Sequence, residues 1–347
     1  LFWEAWGHLQ SEYYGRLPDE RGLTYAAIRG LLAEVDDRYT VFVEPQPHQQ
    51  QKEQLQGHYG GIGAGLSRDE SGALRLSPFP DSPAAAAGVK LDDELLAIDG
   101  QAPAAGESIE AIGARLRGEV GSQVGLRLRR EGSAAFDLTV TRAEIAIPSL
   151  EWRLRREDAT VGYVAIHYFS ATTGAELRAA LEALRAQGAQ RLVLDLRDNS
   201  GGLVQGAVDV ASEFLESGVV LYEVTRRQSD TFLPVRPGGV ATDLPLVVLV
   251  NAGTASAAEA VAGALQDHGR AELVGARTYG KGSVQLVHDL RDGSSLHVTA
   301  ARWLTPARRS IDGQGLEPDV AVSSSPEDVD AGRDVQLLRA LDVVRGK

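Results

Sequence analysis

Ser256 stands where an apolar run, Leu244–Asn251, hands over to a helical run, Ala255–Gln266. At such a junction the serine lies at or near a helix N-terminus, where unpaired backbone N–H groups and the helix dipole favour a developing negative charge. That suits a nucleophilic serine whose acyl oxygen becomes an oxyanion, although serine is also ideal as a plain helix cap, and this segment alone favours the cap. Twenty-five residues later Lys281 sits between Gly280 and Gly282. Close packing beside glycines can screen a lysine from water, which lowers its pKa and lets it act as a general base. The bland alternative is a loop lysine in solvent. Lysine usage argues against it: of 35 basic residues only Lys52, Lys90, Lys281 and Lys347 are lysines. The chain writes Arg almost wherever a positive charge suffices, so a glycine-flanked Lys points to a task Arg cannot perform, losing a proton. Ser–Lys pairs are a known variant of the Ser–His–Asp arrangement. Gln285, four residues on, is placed to hold the amine through its side-chain carbonyl.

Ser200-Gly201-Gly202 follows another apolar strand and offers free N–H groups, half of an oxyanion hole, with the Ala257 N–H as the other half. A tight strand–helix turn explains the same glycines. No G-x-S-x-G elbow is present. The seven His residues fall in no metal-ligand spacing, and a Ser–Lys mechanism needs neither metal nor cofactor. There is no Cys, which excludes disulfides and thiolate chemistry. A net charge of −13 argues against a nucleic-acid surface, which needs clustered Lys and Arg. No apolar run reaches the length of a membrane span. The lack of any Met, even at position 1, leads to the expectation that a signal or anchor preceded Leu1.

The elements that must carry these residues divide 347 residues into three expected units. Residues 1–55 are expected to form a helical arm: Leu1, Phe2, Ala5, Trp6 and Leu9 share a face, and a second run covers Leu23–Val35. The first helix packs on the rest of the chain or serves as a dimerisation arm. Pro45–Gln56 reads as a linker or a solvated helix. Residues 56–144 have the punctuation of a small α/β domain, opening with Gly60–Leu66. A short helix follows at Ser82–Val89, then a strand at Asp92–Asp99, a helix capped by Ser108, and half-buried strands at Val124–Arg130 and Phe136–Arg142. Residues 145–347 alternate strand and helix: Val161–Ile166, Thr173–Ala186, Arg191–Leu196, Leu203–Leu215, Leu244–Asn251, Ala255–Gln266. That alternation predicts a largely parallel sheet with sites at strand C-termini.

Together these residues carry a family resemblance. Gly253-Thr254-Ala255-Ser256-Ala257, Glu259, Ala262–Asp267, Arg270 and Tyr279–Gln285 resemble the catalytic signature of the carboxyl-terminal processing and tail-specific peptidases, family S41. Asp195–Leu203 resembles its Gly-Gly segment. Leu304-Thr305-Pro306, Gly315–Val320 and Asp334–Leu337 resemble its C-terminal motifs; Tyr59–Ala64 resembles the opening of its PDZ domain, and Ala27–Gly30 with Asp36-Asp37 its N-terminal arm. Thr254 and Ala258 stand where the family often has Ser. Arg308 replaces a Gly of its Pro-x-Gly-Arg-Ser segment. The resemblance implies a PDZ-like domain joined to a crotonase-like α/β core. It implies Ser256 as nucleophile, Lys281 as general base, Gln285 as orienting partner, and Ala257 with Gly201 or Gly202 as oxyanion hole. Asp267, eleven residues after the serine, is a further catalytic candidate that a structural role at a helix end explains as well. PDZ domains add a peptide as an extra strand and hold its terminal carboxylate in a glycine-rich loop. Gly61-Ile62-Gly63-Ala64 is that loop by resemblance, with Ile62 in the side-chain pocket, and Lys90 falls near a gating position. The implied substrates are proteins or peptides with apolar C-termini, and the implied setting is a bacterial cell envelope, with a homodimer or higher oligomer and an activating partner left open. Two rivals from other classes are a silent PDZ scaffold, which would not keep both Ser256 and Lys281, and a crotonase-type thioester enzyme, which would need neither that pair nor a PDZ-like unit.

Overall fold

The computed structural model describes residues 1–155, 158–226 and 230–347. The first 56 residues contain α1 (Phe2–Glu12), α2 (Glu20–Ala33), β1 (Val41–Val43) and α3 (Pro45–Gln56). α1 has no buried residue, and Phe2 and Trp3 remain 56% and 77% exposed. The glutamine-rich stretch is α3, started by Pro45 in its first turn and stopped by Gly57 in the left-handed region.

β2 (His58–Gly61), β3 (Ala64–Arg68), β4 (Leu74–Pro78), α4 (Pro83–Ala87), β5 (Asp93–Ile98), α5 (Ile109–Leu116), β6 (Gln123–Arg129), β7 (Phe136–Thr141) and β8 (Ala143–Ala146) come next. β3–β7 form an antiparallel sheet in chain order, and β2 pairs with β8. Alternation sets the inner face: Val124, Leu126 and Leu128 of β6 are buried and their neighbours are not, so they pack with Leu76, Leu95, Ile98, Ile112 and Leu116. Ser108 caps α5 by accepting from Ala111 N–H.

The remainder holds β9 (Leu150–Arg155), β10 (Asp158–Ile166), α6 (Thr173–Ala186), β11 (Arg191–Asp195), α7 (Val204–Ser212), β12 (Val219–Thr225), β13 (Asp230–Pro234), β14 (Leu246–Val250), α8 (Ala257–Asp267), β15 (Glu272–Gly275), β16 (Ser283–Asp289), β17 (Ser295–Leu304), β18 (Val320–Ala321), α9 (Pro326–Asp330) and α10 (Val335–Val344). Six strands run in the order β18-β15-β14-β11-β10-β9, all neighbours parallel except β9 against β10. Both faces are covered, which explains the unbroken Leu246-Val247-Val248-Leu249-Val250. Leu246, Val248 and Val250 face α6, α7 and α8, while Val247 and Leu249 face Leu337, Ala340 and Leu341 of α10. Below the strand ends Arg197 joins Asp195 to Asp334 at the start of α10, and Tyr163 donates to Asp195.

A second sheet, β1-β17-β12-β13 with β16 on β17, is antiparallel. The expected largely parallel sheet is joined by an antiparallel one that is not evident in the sequence, because although β12–β13 and β16–β17 pair as chain neighbours, the pairings that assemble the sheet, β17 with β1 and with β12, join distant segments. Among the described residues no helix is long and apolar enough to cross a membrane.

Candidate active site

The loops after β11 and β14 leave the parallel sheet side by side and are sewn together. Asn251 Oδ1 accepts from Asp198 N–H (2.9 Å) and its Nδ2 donates to Asp198 Oδ1 (2.9 Å). Thr254 Oγ1 donates to the Leu196 carbonyl (2.8 Å), and Ala255 N–H to the Asn199 carbonyl (2.9 Å). Buried Asn199 in turn donates from Nδ2 to the Ile166 carbonyl (2.8 Å) and so fixes the turn to β10 as well.

This stitching delivers Ser256 to the start of α8 with φ 55° and ψ −119°. An ordinary cap residue takes the β region. A positive φ at serine costs about 1–3 kcal/mol and persists only where its surroundings enforce it. Ser256 therefore has elbow geometry between strand and helix without the glycine-flanked elbow motif. Room for it comes from Gly201: a Cβ there would stand 2.8 Å from Ser256 Cβ and 3.1 Å from Ala257 N. Gly201 N–H donates to Asn199 Oδ1 (2.9 Å). Gly202 faces the other way, and a Cβ on it would meet the Phe169 carbonyl oxygen at 2.1 Å. Gly201 and Ala257 are thus brought to Ser256, and Gly202 is the second residue of the same turn.

Lys281 arrives by way of Glu259, a fully buried carboxylate in the first turn of α8. Its Oε2 accepts from Ser256 N–H (2.9 Å) and Lys281 N–H (2.9 Å); its Oε1 accepts from Gly280 N–H (2.8 Å) and the Thr278 hydroxyl. The sequence marks Glu259 as part of a signature without revealing this function; the S-x-x-E spacing of a capping box is the signal that points to it. Burial lowers the Lys281 pKa from its ordinary value, and the Asp37 charge opposes that shift. The Lys281 amine lies 5.1 Å from the centre of the Tyr39 ring. Gln285 donates to Ser283 Oγ (2.8 Å) and Thr299 Oγ1 (3.3 Å) rather than bonding the amine. Asp267, at the far end of α8, accepts from Ala307 N–H (2.8 Å) and pairs with Arg309, away from this cluster.

A groove of about 530 Å³ runs along the first sheet, between β3, α5 and α3. Ile62, Gly63 and Ala64 line it with Leu66, Leu116 and Arg117, whereas Gly61 does not. Ile62 is 2% exposed, Gly63 has φ +68°, and Arg117 pairs with Glu53 of α3 across the groove (2.5 Å). Among the described residues no cluster of His, Cys, Asp and Glu is arranged to hold a metal.

Comparison with known proteins adds independent findings. Residues 160–322 match the family model for peptidase family S41, and residues 77–130 that for a PDZ domain. The chain is 37% identical to the carboxyl-terminal-processing protease of Picosynechococcus sp., over 98% of this chain and 84% of that one. It is 33% identical to the carboxy-terminal processing protease CtpA of Bacillus subtilis, over 91% of this chain and 67% of the other. Among solved structures, the photosystem II D1 C-terminal processing protease is 34% identical with a TM-score of 0.52, covering 92% of this chain and 87% of its own.

Proposed function

This chain belongs to peptidase family S41 and is a serine peptidase of the carboxyl-terminal-processing type, and from that premise we propose that Ser256, Lys281 and Gln285 carry its chemistry. Ser256 Oγ attacks the scissile carbonyl carbon while its proton passes to the neutral Lys281 amine. The oxyanion forms against Ala257 N–H, at the positive end of α8, and the Gly201–Gly202 turn, where the Gly201 N–H is already engaged by Asn199 Oδ1 and the second donor is left to Gly202. As the tetrahedral species collapses, Lys281 returns the proton to the departing amine and an ester to Ser256 remains. Water then attacks the ester and gives a proton to Lys281, which passes it to the departing Ser256 Oγ as the carboxylate product is released, so that the serine hydroxyl and the neutral amine are both restored. Gln285, with its NH2 group held by Ser283 and Thr299, keeps its carbonyl oxygen for the amine. The observation that carries this reading is the strained Ser256 at a helix N-terminus, tied through one carboxylate to the peptide N–H of a lysine whose burial favours the neutral amine.

We assign residues 1–55 to an N-terminal arm, 56–144 to the PDZ-like unit and 145–347 to a crotonase-like peptidase core. Substrates with apolar C-termini would add a strand beside β3, with the terminal carboxylate at Ile62–Ala64, the part of the Gly61–Ala64 loop that lines the groove, and the last side chain over Ile62. The bacterial relatives support an envelope location, and the exposed aromatic residues of α1 support a homodimer.

The test is cleavage of unfolded casein at mildly alkaline pH by the parent and by Ser256→Ala, with and without a peptide ending in a free apolar carboxyl terminus. Loss of cleavage in the variant alone upholds the assignment. Equal cleavage by both would place the nucleophile elsewhere.

A further inference from the structure

The segment between α2 and β1 is brought onto Lys281 by strand register. β1 pairs antiparallel with β17, Val41 opposite His297 and Val43 opposite Ser295. β17 also pairs with β16, which begins two residues after Lys281 and sets Gln285 opposite Thr299. Thr299 is the meeting point. Its N–H donates to Thr40 Oγ1 (3.1 Å), its hydroxyl reaches Asp37, and Gln285 Nε2 reaches its Oγ1. Asp37 is held rigidly, accepting also from Tyr39 N–H (3.0 Å) and Thr40 Oγ1 (2.6 Å). Arg38 lies over the rings of Tyr39 (4.7 Å) and Tyr279 (5.2 Å), which closes the outer side.

We propose that this segment completes the lysine's site, with the Tyr39 ring face as the positioning group for the Lys281 amine and the Asp37 carboxylate, fixed on the same segment by Tyr39, Thr40 and Thr299, acting on it through its charge and not by contact. The proposal rests on Lys281 being the base. The protonated amine is attracted to the tyrosine face, and in the neutral form the bulk of the ring still confines the flexible four-carbon side chain to one sector. The other groups near the amine do not replace this pair. His297 of β17 is kept below its usual pKa by burial, then by the charges of His48 and Lys281, so it adds little charge at neutral pH. His48 of α3 is turned to Asp289, and Arg38 shares the Tyr39 ring without an acceptor for the amine. Burial alone would push the Asp37 carboxyl up, but hydrogen bonds from Thr299, Thr40 and Tyr39 hold it below its ordinary value, so it is a fixed negative charge throughout the working range. It stabilises the protonated amine against the opposite pull of burial.

The experiment is the pH dependence of kcat and KM on an internally quenched peptide, for the whole chain and its Tyr39→Leu, Tyr39→Phe, Asp37→Asn and Lys281→Ala variants, each checked for a parental thermal melt. Tyr39→Leu is expected to lower kcat about tenfold with KM little changed, and Tyr39→Phe, which keeps the ring, to recover most of that loss. Asp37→Asn removes a charge that favours the ammonium, so the rising limb of kcat/KM moves to lower pH, by about half a unit or more. Parental kcat in Tyr39→Leu with an unmoved limb in Asp37→Asn would overturn the proposal. So would a rise in kcat for Tyr39→Leu, because the ring would then be holding the amine away from Ser256. Should Tyr39→Leu not fold, the position of the Asp37→Asn limb decides alone. An active Lys281→Ala would instead remove the base assignment on which the proposal stands.

Discussion

Ser256 and Lys281 hang from the same carboxylate oxygen: Glu259 Oε2 accepts the peptide N–H of each, at 2.9 Å in both cases. The nucleophile's elbow and the lysine's loop are thereby fixed to the first turn of one buried helix. Glu259→Gln leaves an amide facing donors, which costs about 1–3 kcal/mol when buried. We expect a lower urea midpoint together with a loss of turnover of about tenfold or more, since small misplacement of reacting groups is expensive. A parental midpoint would show that this carboxylate does not join the two loops.

The two glycines of the turn after β11 separate function from folding. Both take φ values that side chains rarely adopt, +107° and +141°. An added methyl at Gly201 presses on Ser256 and Ala257, whereas at Gly202 it strikes the Phe169 carbonyl. Gly201→Ala is expected to remain folded and lose kcat. Gly202→Ala is expected to lower the melting temperature more strongly than Gly201→Ala. Reversed effects in paired thermal melts and peptide kinetics would reverse the roles.

Burial sets the direction of the pH profile. Because the Lys281 pKa is lowered from 10.5, kcat/KM should rise with pH along a limb centred below that value. Lys281→Arg keeps the charge but cannot accept the proton, so it should be inactive with no such limb. The same shift has a stability consequence. Between the folded pKa and 10.5 the unfolded chain binds more protons, so stability rises with pH in that window and the parent is penalised below it. Lys281→Met should therefore raise the urea midpoint at neutral pH and flatten its pH dependence; an unchanged midpoint would mean the amine is well solvated.

Asp267 anchors the turn before Ser310 through Ala307 and Arg309. Asp267→Asn weakens that pair, so the expected loss is in melting temperature, with the pH limb of kcat/KM left in place. A folded Asp267→Asn protein without turnover would restore its catalytic candidacy.

Local pattern carried much of this arrangement. The strand-to-helix handovers at Val250 and Asp195, the rarity of lysine and the glycines around Lys281 were all legible, because each depends on neighbours in the chain. The expected helix Thr173–Ala186 coincides with α6. The antiparallel sheet is not legible in the sequence: Val41 meets His297 across most of the chain, and β17 is half-buried along most of its length, with no clean alternation to declare its faces or partners. For the same reason nothing local placed Asp37 and Tyr39 near Lys281. The strained backbone of Ser256 was also hidden, since the cap and the elbow use the same serine and only the packing of Gly201 against it distinguishes them.

The most direct test of the Ser256–Lys281 assignment is to quench turnover of an activated peptide ester with acid and locate the acyl group by mass spectrometry of proteolytic fragments. The account predicts an acyl group on Ser256 in the parent, none in Ser256→Ala, and greatly reduced acylation in Lys281→Ala at neutral pH. An acyl group on another residue, or full acylation of Ser256 without Lys281, would contradict it.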